Sequence, residues 1–199
     1  MSAIAGFAHR VEGKGQSARE IAERWHLRDV GLWMFLGTLV MLFAAFSSAL
    51  VVRKSSGDWI DITLPQVLWA NTALLILSSV TLEWGRRAGL RAAQAARGSI
   101  IATCVLGAAF FAGQVEGWRQ LAAAGVFLPT SPSASFFYVL TGVHAAHVAA
   151  ALASVVYLLA RTMRPSRAAE WPYLAGTVST FWHFLTGIWL YLLLLLQLS

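Results

Sequence analysis

Charge is what this sequence has least of: 12% of its residues are Asp, Glu, Lys or Arg, where a soluble domain carries about 25%. Acids are scarcest, nine against fifteen Lys and Arg, and none lies in the middle of an apolar run. A proton pump or cation transporter relies on buried acids as relays, so their absence argues against proton conduction through this chain's own core. Cysteine is reduced to Cys104, which allows no internal disulfide and no thiolate metal site and reads as a small packing residue. There is no HExxH, no serine with a base beside it, no glycine-rich phosphate loop and no cluster with metal-ligand spacing. Catalysis by this chain itself therefore has no candidate constellation, and no repeat or low-complexity tract stands out.

Apolar residues make up 58% of the 199 positions. Five runs are long enough to cross a hydrocarbon core about 30 Å thick, which takes roughly 20 helical residues. They lie at about 30–52, 66–84, 99–117, 134–161 and 173–197. Runs of this length without two-residue alternation do not suit barrel strands, and an open sheet leaves backbone groups unpaired in lipid. The expected fold is all-α: a polytopic membrane protein whose five-helix domain spans 30–199 behind a polar tail, 1–29. That tail has no apolar core of a cleaved signal. In it, Ser17 and Glu20 have capping-box spacing and predict a short helix through Ile21 and Trp25, suited to the membrane surface. Two prolines in "GVFLPTSPSAS" stop helix 3 from running into helix 4.

The net charge of +6 is distributed by connection and not gathered on one face, so orientation explains it better than nucleic acid does. Alternate connections place twelve Lys and Arg on one side of the membrane and three on the other. The positive-inside rule then puts the N-terminus in the cytoplasm and the C-terminus outside. Trp25, Trp84 and Trp171 would mark the inner interface and Trp59, Trp69 and Trp118 the outer.

Histidines interrupt this apolar pattern. In "FFYVLTGVHAAHVAA" His144 and His147 lie ten and thirteen residues into helix 4, and His183 lies ten residues into helix 5. At 1.5 Å per residue all three reach about 15 to 20 Å deep, near the bilayer centre. His144 and His183, on neighbouring helices at one depth, fit a bis-imidazole haem site with room supplied by Gly142 and Gly187. Against this stand Ala145, Ala146, Ala149, Ala150 and Ala153, small residues that let helices approach closely. The plainer alternative is neutral imidazoles bonded across helices to Thr141, Thr186 or a backbone carbonyl. Intramembrane ionisable residues are also functional candidates by default, which leaves open a proton path or a partner interface. On helix 2, Asn71, Thr72, Ser78 and Ser79 form a polar stripe suited to interhelical hydrogen bonds, while Glu83 and Glu116 lie at interface depth.

The segments "GLWMFLGTLVMLFAAFSSALVVR", "NTALLILSSVTL", "FFAGQVEGW", "SFFYVLTGVHAAHV" and "FWHFLTGIWLYLL" resemble, in order and spacing, subunit III of the haem-copper oxidases in its five-helix bacterial form. The resemblance runs from about Gly31 to Leu195. It implies a non-redox accessory subunit of a cytochrome c or quinol oxidase in a bacterial inner membrane, packed beside catalytic subunit I and other oxidase subunits. Haem and copper would belong to those partners and none to this chain. It also implies a phospholipid bound in a cleft between a two-helix group, helices 1 and 2, and a three-helix group, helices 3 to 5, with support for assembly, turnover stability and proton uptake. Structural and interface positions would be Asn71, Gln114, Glu116, Thr141, Gly142, His144, His147, Trp182, His183, Thr186 and Gly187. Two positions depart from the family pattern: Leu39 in "TLV" stands where the family usually has glutamate, and Thr186 in "WHFLT" where it usually has aspartate. Roles tied to those acids are not carried over. The departures suggest a divergent branch, one serving a different electron donor or a nitric oxide reductase-type complex. A haem-bearing cytochrome and a small transporter are the competing classes.

Overall fold

A computed structural model describes the backbone of residues 2–55, 59, 62–163 and 170–198, and the side chains of these from residue 28 onward apart from Ala93. Among the described residues five α-helices follow one another: α1 (Ser2–Lys54), α2 (Val67–Gly89), α3 (Arg97–Ala123), α4 (Pro132–Arg161) and α5 (Trp171–Leu198), with a 3-10 turn at Ala93–Ala96 ahead of α3. Each holds a segment long and apolar enough to cross a membrane, the first being Arg28–Lys54. The five-span, all-helical expectation is borne out. The Ser17/Glu20 cap and the placement of Ile21 and Trp25 lie outside the described side chains.

Local chemistry sets the helix ends. At the end of α3, Gly125 takes φ +80°, the left-handed conformation that a Cβ disfavours. Its N–H bonds to the Ala122 carbonyl, and the next N–H, of Val126, bonds to that of Leu121 at 3.0 Å; this pair of bonds closes a helix as a Schellman motif. Further on, Ser131 caps α4 by accepting from the Ala134 N–H. Pro132 follows at the first helical position, where its missing N–H costs nothing. Helices α2 and α3 run past the expected ends at 84 and 117, so Arg86 and Arg87 form the last turn of α2, where cations suit the helix dipole.

By internal contacts the chain divides into two compact units, residues 1–41 and 42–199. The described side chains of the first are mainly exposed and apolar, among them Trp33, Met34, Val40 and Met41. In the second, α2, α3, α4 and α5 pack as a ring in which each helix touches the next and α5 returns to α2. The C-terminal end of α1, from Leu42 on, joins through Phe43 and Leu50, which cluster with Leu140 of α4 and Leu192 of α5. This corrects one expectation: helix 2 is not set apart from helices 3 to 5, because α2 packs against α3 and α5. The reason is steric. A Cβ on Gly113 would overlap Asn71 Oδ1, and one on Gly117 would stand 3.3 Å from Leu68. The GxxxG spacing of α3 thus brings its backbone against α2, the geometry such motifs allow in lipid, where the hydrophobic effect does not drive helices together.

Candidate functional site

The middle of the ring is held by hydrogen bonds that cross from helix to helix. Trp182 Nε1 donates to Ser78 Oγ at 3.1 Å and Trp189 Nε1 to Thr72 Oγ1 at 3.0 Å, so α5 bonds to α2 twice through indoles. A third indole, Trp118 Nε1, donates to Thr141 Oγ1 at 3.1 Å and links α3 to α4. Ser79 and Thr186 share a hydroxyl bond of 2.9 Å, as do Thr81 and Thr103. Asn71 Nδ2 donates to the Phe110 carbonyl at 3.3 Å. Thr72 and Ser78 also donate within their own helix, to Leu68 and Leu75. Every residue of the α2 stripe is therefore bonded, three of the four to a partner helix by side chain to side chain.

The histidines do not share one neighbourhood. His144 is fully buried in an aromatic box, its ring stacked on Trp189 at 5.2 Å and 30° and met edge-on by Phe110 at 6.2 Å and Phe43 at 6.4 Å. Neither of its nitrogens has a protein hydrogen-bond partner. His147 bonds through Nδ1 to the carbonyl of Val143, one turn earlier in its own helix, at 2.7 Å. His183 lies on another face, 41% exposed, with Nε2 4.0 Å from Glu83 Oε2 of α2. The structure thus separates His144 from His183, and the bis-imidazole haem alternative loses its geometry. It also corrects the expected bonds from histidine to Thr141 and Thr186: Thr141 donates to Phe137 and accepts from Trp118, while Thr186 donates to Trp182 and pairs with Ser79.

The remaining sites fall as follows. Gln114 is buried with neither amide atom bonded, and Glu116 is exposed and accepts from Gln120 at 3.1 Å. Gly142 and Gly187 face open space, with nothing within 4 Å of where a Cβ would stand. Trp171, expected in a lipid-facing belt, is 4% exposed, and its ring occupies the space a Cβ on Gly89 would need. Trp84 and Trp69, at opposite ends of α2, do face outward. Among the described residues no three His, Cys, Asp or Glu gather as a metal-ligand set. The sequence reading missed the packing glycine Gly113 and the anchor Trp189. The first was marked by its GxxxG partner Gly117, the second by its seven-residue spacing from Trp182.

Along the outer side of the α2–α5 seam runs a groove of about 590 Å³. Its walls include Ile76, Val80 and Leu190, and one end carries Glu83, Arg87 and Trp84. Glu83 there accepts from Arg86 Nε and Nη2 at 2.7 and 2.6 Å and from Arg87 Nε at 2.7 Å.

Such an arrangement defines a multi-pass helical membrane protein whose buried polar groups serve mainly to join helices. Comparison with known proteins then identifies the family. Residues 29–198 match the model of cytochrome c oxidase subunit III. Over 169 residues the chain is 34% identical to a cytochrome bo(3) ubiquinol oxidase subunit 3 of Pseudomonas aeruginosa, covering 80% of this chain and 79% of that one. Over 182 residues it is 30% identical to a cytochrome c oxidase subunit 3 of Corynebacterium diphtheriae, covering 84% and 85%. A quinol oxidase subunit 3 of Bacillus spizizenii is 25% identical over 193 residues, covering 92% and 93%. The chain belongs to the cytochrome c oxidase subunit III family.

Proposed function

We infer that the chain is the non-redox subunit III of a terminal haem-copper oxidase in a bacterial inner membrane, packed beside catalytic subunit I with the other oxidase subunits. In this reading haem and copper reside in the partners, the N-terminus is cytoplasmic and the C-terminus outside. The chain binds phospholipid and sustains assembly, turnover stability and proton uptake by the complex. One observation carries the reading: the match extends over residues 29–198, and within that span the tryptophans and hydroxyls of the ring are engaged in joining helices. The open face of Gly142, in a helix rich in alanine, supports close approach by a helix of another subunit.

Purification through a tag on this chain tests it. Haem-bearing oxidase subunits are expected to accompany the tagged chain, and the chain stripped of them is expected to show no Soret band. A reducible Soret band in the isolated chain, lost in His183→Ala, would overturn the reading in favour of a cytochrome.

A further inference from the structure

Of the six buried side-chain nitrogens and oxygens that have no hydrogen-bond partner among the described residues, four belong to Gln114 and His144. Gln114 is 1% exposed and His144 not at all, and an unpaired N–H is costly where bulk water does not reach it. The two lie together. Phe110 of α3 meets the His144 ring of α4 edge-on at 6.2 Å, and Trp118 Nε1 of α3 donates to Thr141 Oγ1 of α4 at 3.1 Å. Phe110, Gln114 and Trp118 recur every four residues and share a face of α3; Thr141 and His144, three apart, share a face of α4. Gln114 therefore meets α4 at the level of Thr141 and His144.

The three polar residues complement one another. A neutral imidazole offers one N–H and one bare nitrogen, and a glutamine amide two N–H groups and a carbonyl oxygen. Thr141 uses its hydroxyl hydrogen on the Phe137 carbonyl at 2.7 Å and one lone pair on Trp118, so its second lone pair is free to accept. Donors on Gln114 and His144 thus stand near an acceptor on Thr141, yet neither residue bonds to the other or to the threonine. A small group that both accepts and donates would satisfy all three. Width for it comes from the aromatic rings: Phe110 and Trp118, one turn to either side, bear on α4 and hold it off α3, and Gln114 between them is the slimmer side chain.

We propose that α3 and α4 bind one water molecule between Gln114, Thr141 and His144. The water accepts from the imidazole N–H and from Gln114 Nε2 and donates to Thr141 Oγ1, the three bonds typical of a buried water. Both orphaned donors are then paired, and His144 keeps a single tautomer because its N–H is the group the water holds. Together with the Trp118–Thr141 bond the water ties α3 to α4, as Trp182 and Trp189 tie α5 to α2. The histidine in the aromatic box is thus a ligand of water. Every contact to it comes from this chain, so the inference is independent of the oxidase assembly inferred above.

Nuclear magnetic resonance of the full chain in deuterated detergent micelles, with isotope-labelled histidine nitrogens, tests this. The His144 imidazole N–H, identified by its loss in His144→Leu, is expected to show a rotating-frame Overhauser contact at the water frequency. In Gln114→Met, which keeps the length of the side chain but has no N–H, that contact should be lost while the His147 resonances stay in place. In Thr141→Val, which removes a hydroxyl that could relay exchange, the contact should persist. A wild-type His144 N–H without a water contact overturns the proposal, as does a contact that survives Gln114→Met or disappears in Thr141→Val. An Overhauser contact between the Gln114 amide and the imidazole, with no water signal, would assign a direct bond and overturn it too. Where Gln114→Met fails to fold, the wild type and Thr141→Val still decide.

Discussion

Gly113→Ala tests the approach of α3 to α2. A methyl group there would overlap Oδ1 of Asn71 and stand 2.7 Å from its Cγ. Asn71 is 1% exposed and bonded to the Phe110 carbonyl, so it cannot simply swing into lipid. Either α2 and α3 separate or Asn71 abandons its bond. Overfilling a packed core costs about 1 to 3 kcal/mol. A lost interhelical bond in a membrane adds about 0.6 kcal/mol on average and about 1.7 at most. Whichever gives way, the destabilisation is about 1 to 3 kcal/mol. Reversible unfolding of the chain from mixed micelles by dodecyl sulfate, followed by helix content or tryptophan fluorescence, reads that change as a shift in midpoint. The mechanism makes a sharper demand through a second substitution. Asn71→Ala alone should lose only the bond, yet it should also make room for the methyl group that Gly113→Ala introduces. The double variant should therefore be more stable than the sum of the two losses predicts, with a coupling of the order of 1 to 3 kcal/mol. Gly142→Ala, facing open space, serves as the control and should stay within about 0.5 kcal/mol of wild type. A Gly113→Ala variant as stable as the control, or one whose loss Asn71→Ala leaves untouched, would refute the account.

Three further outcomes follow from the same contacts. His144→Leu removes an imidazole that makes no protein hydrogen bond and keeps the box apolar, so the unfolding midpoint should move by less than about 1.5 kcal/mol; Trp189→Ala in the same box should lose about 3 to 5 kcal/mol. Thr186→Asp restores the carboxylate usual in the family but sets it at an 8% exposed position bonded to Ser79. A buried helix-centre aspartate costs about 2.5 to 3.5 kcal/mol on insertion scales, and a stabilised variant in the same titration would count against that reasoning. Gly142→Leu should leave the isolated chain close to wild type in stability, because no described residue stands within 4 Å of where the new Cβ would be, while lowering the yield of oxidase subunits recovered with it. Unchanged yield would argue that no partner helix docks there.

The five spans were legible because each is a long apolar run, and a hydrocarbon slab accepts little else. Depth was legible too, since 1.5 Å per residue converts sequence position into height. Which way a side chain points at that height was not. His183 and Trp189 are six residues apart, a rotation of about 600° at 3.6 residues per turn, or about 240° after full turns are removed. When Trp189 stacks on His144, His183 must therefore face elsewhere, and it faces Glu83. Counting residues along each helix brought the two histidines to one level; only the contact between Trp189 and His144 fixes their azimuth. Glycine carries the same ambiguity. Gly113 and Gly142 both sit in small-residue helices, but Gly113 is packed against Asn71 whereas Gly142 is left open. What distinguishes them is the residue opposite, which belongs to another helix in one case and to no described residue of this chain in the other. The pairing of helices 1 and 2 misled for a different reason. The grouping came from the family resemblance and not from these residues; in lipid the tight pair is one whose backbones can approach, and the Gly113–Gly117 spacing brings α3 against α2.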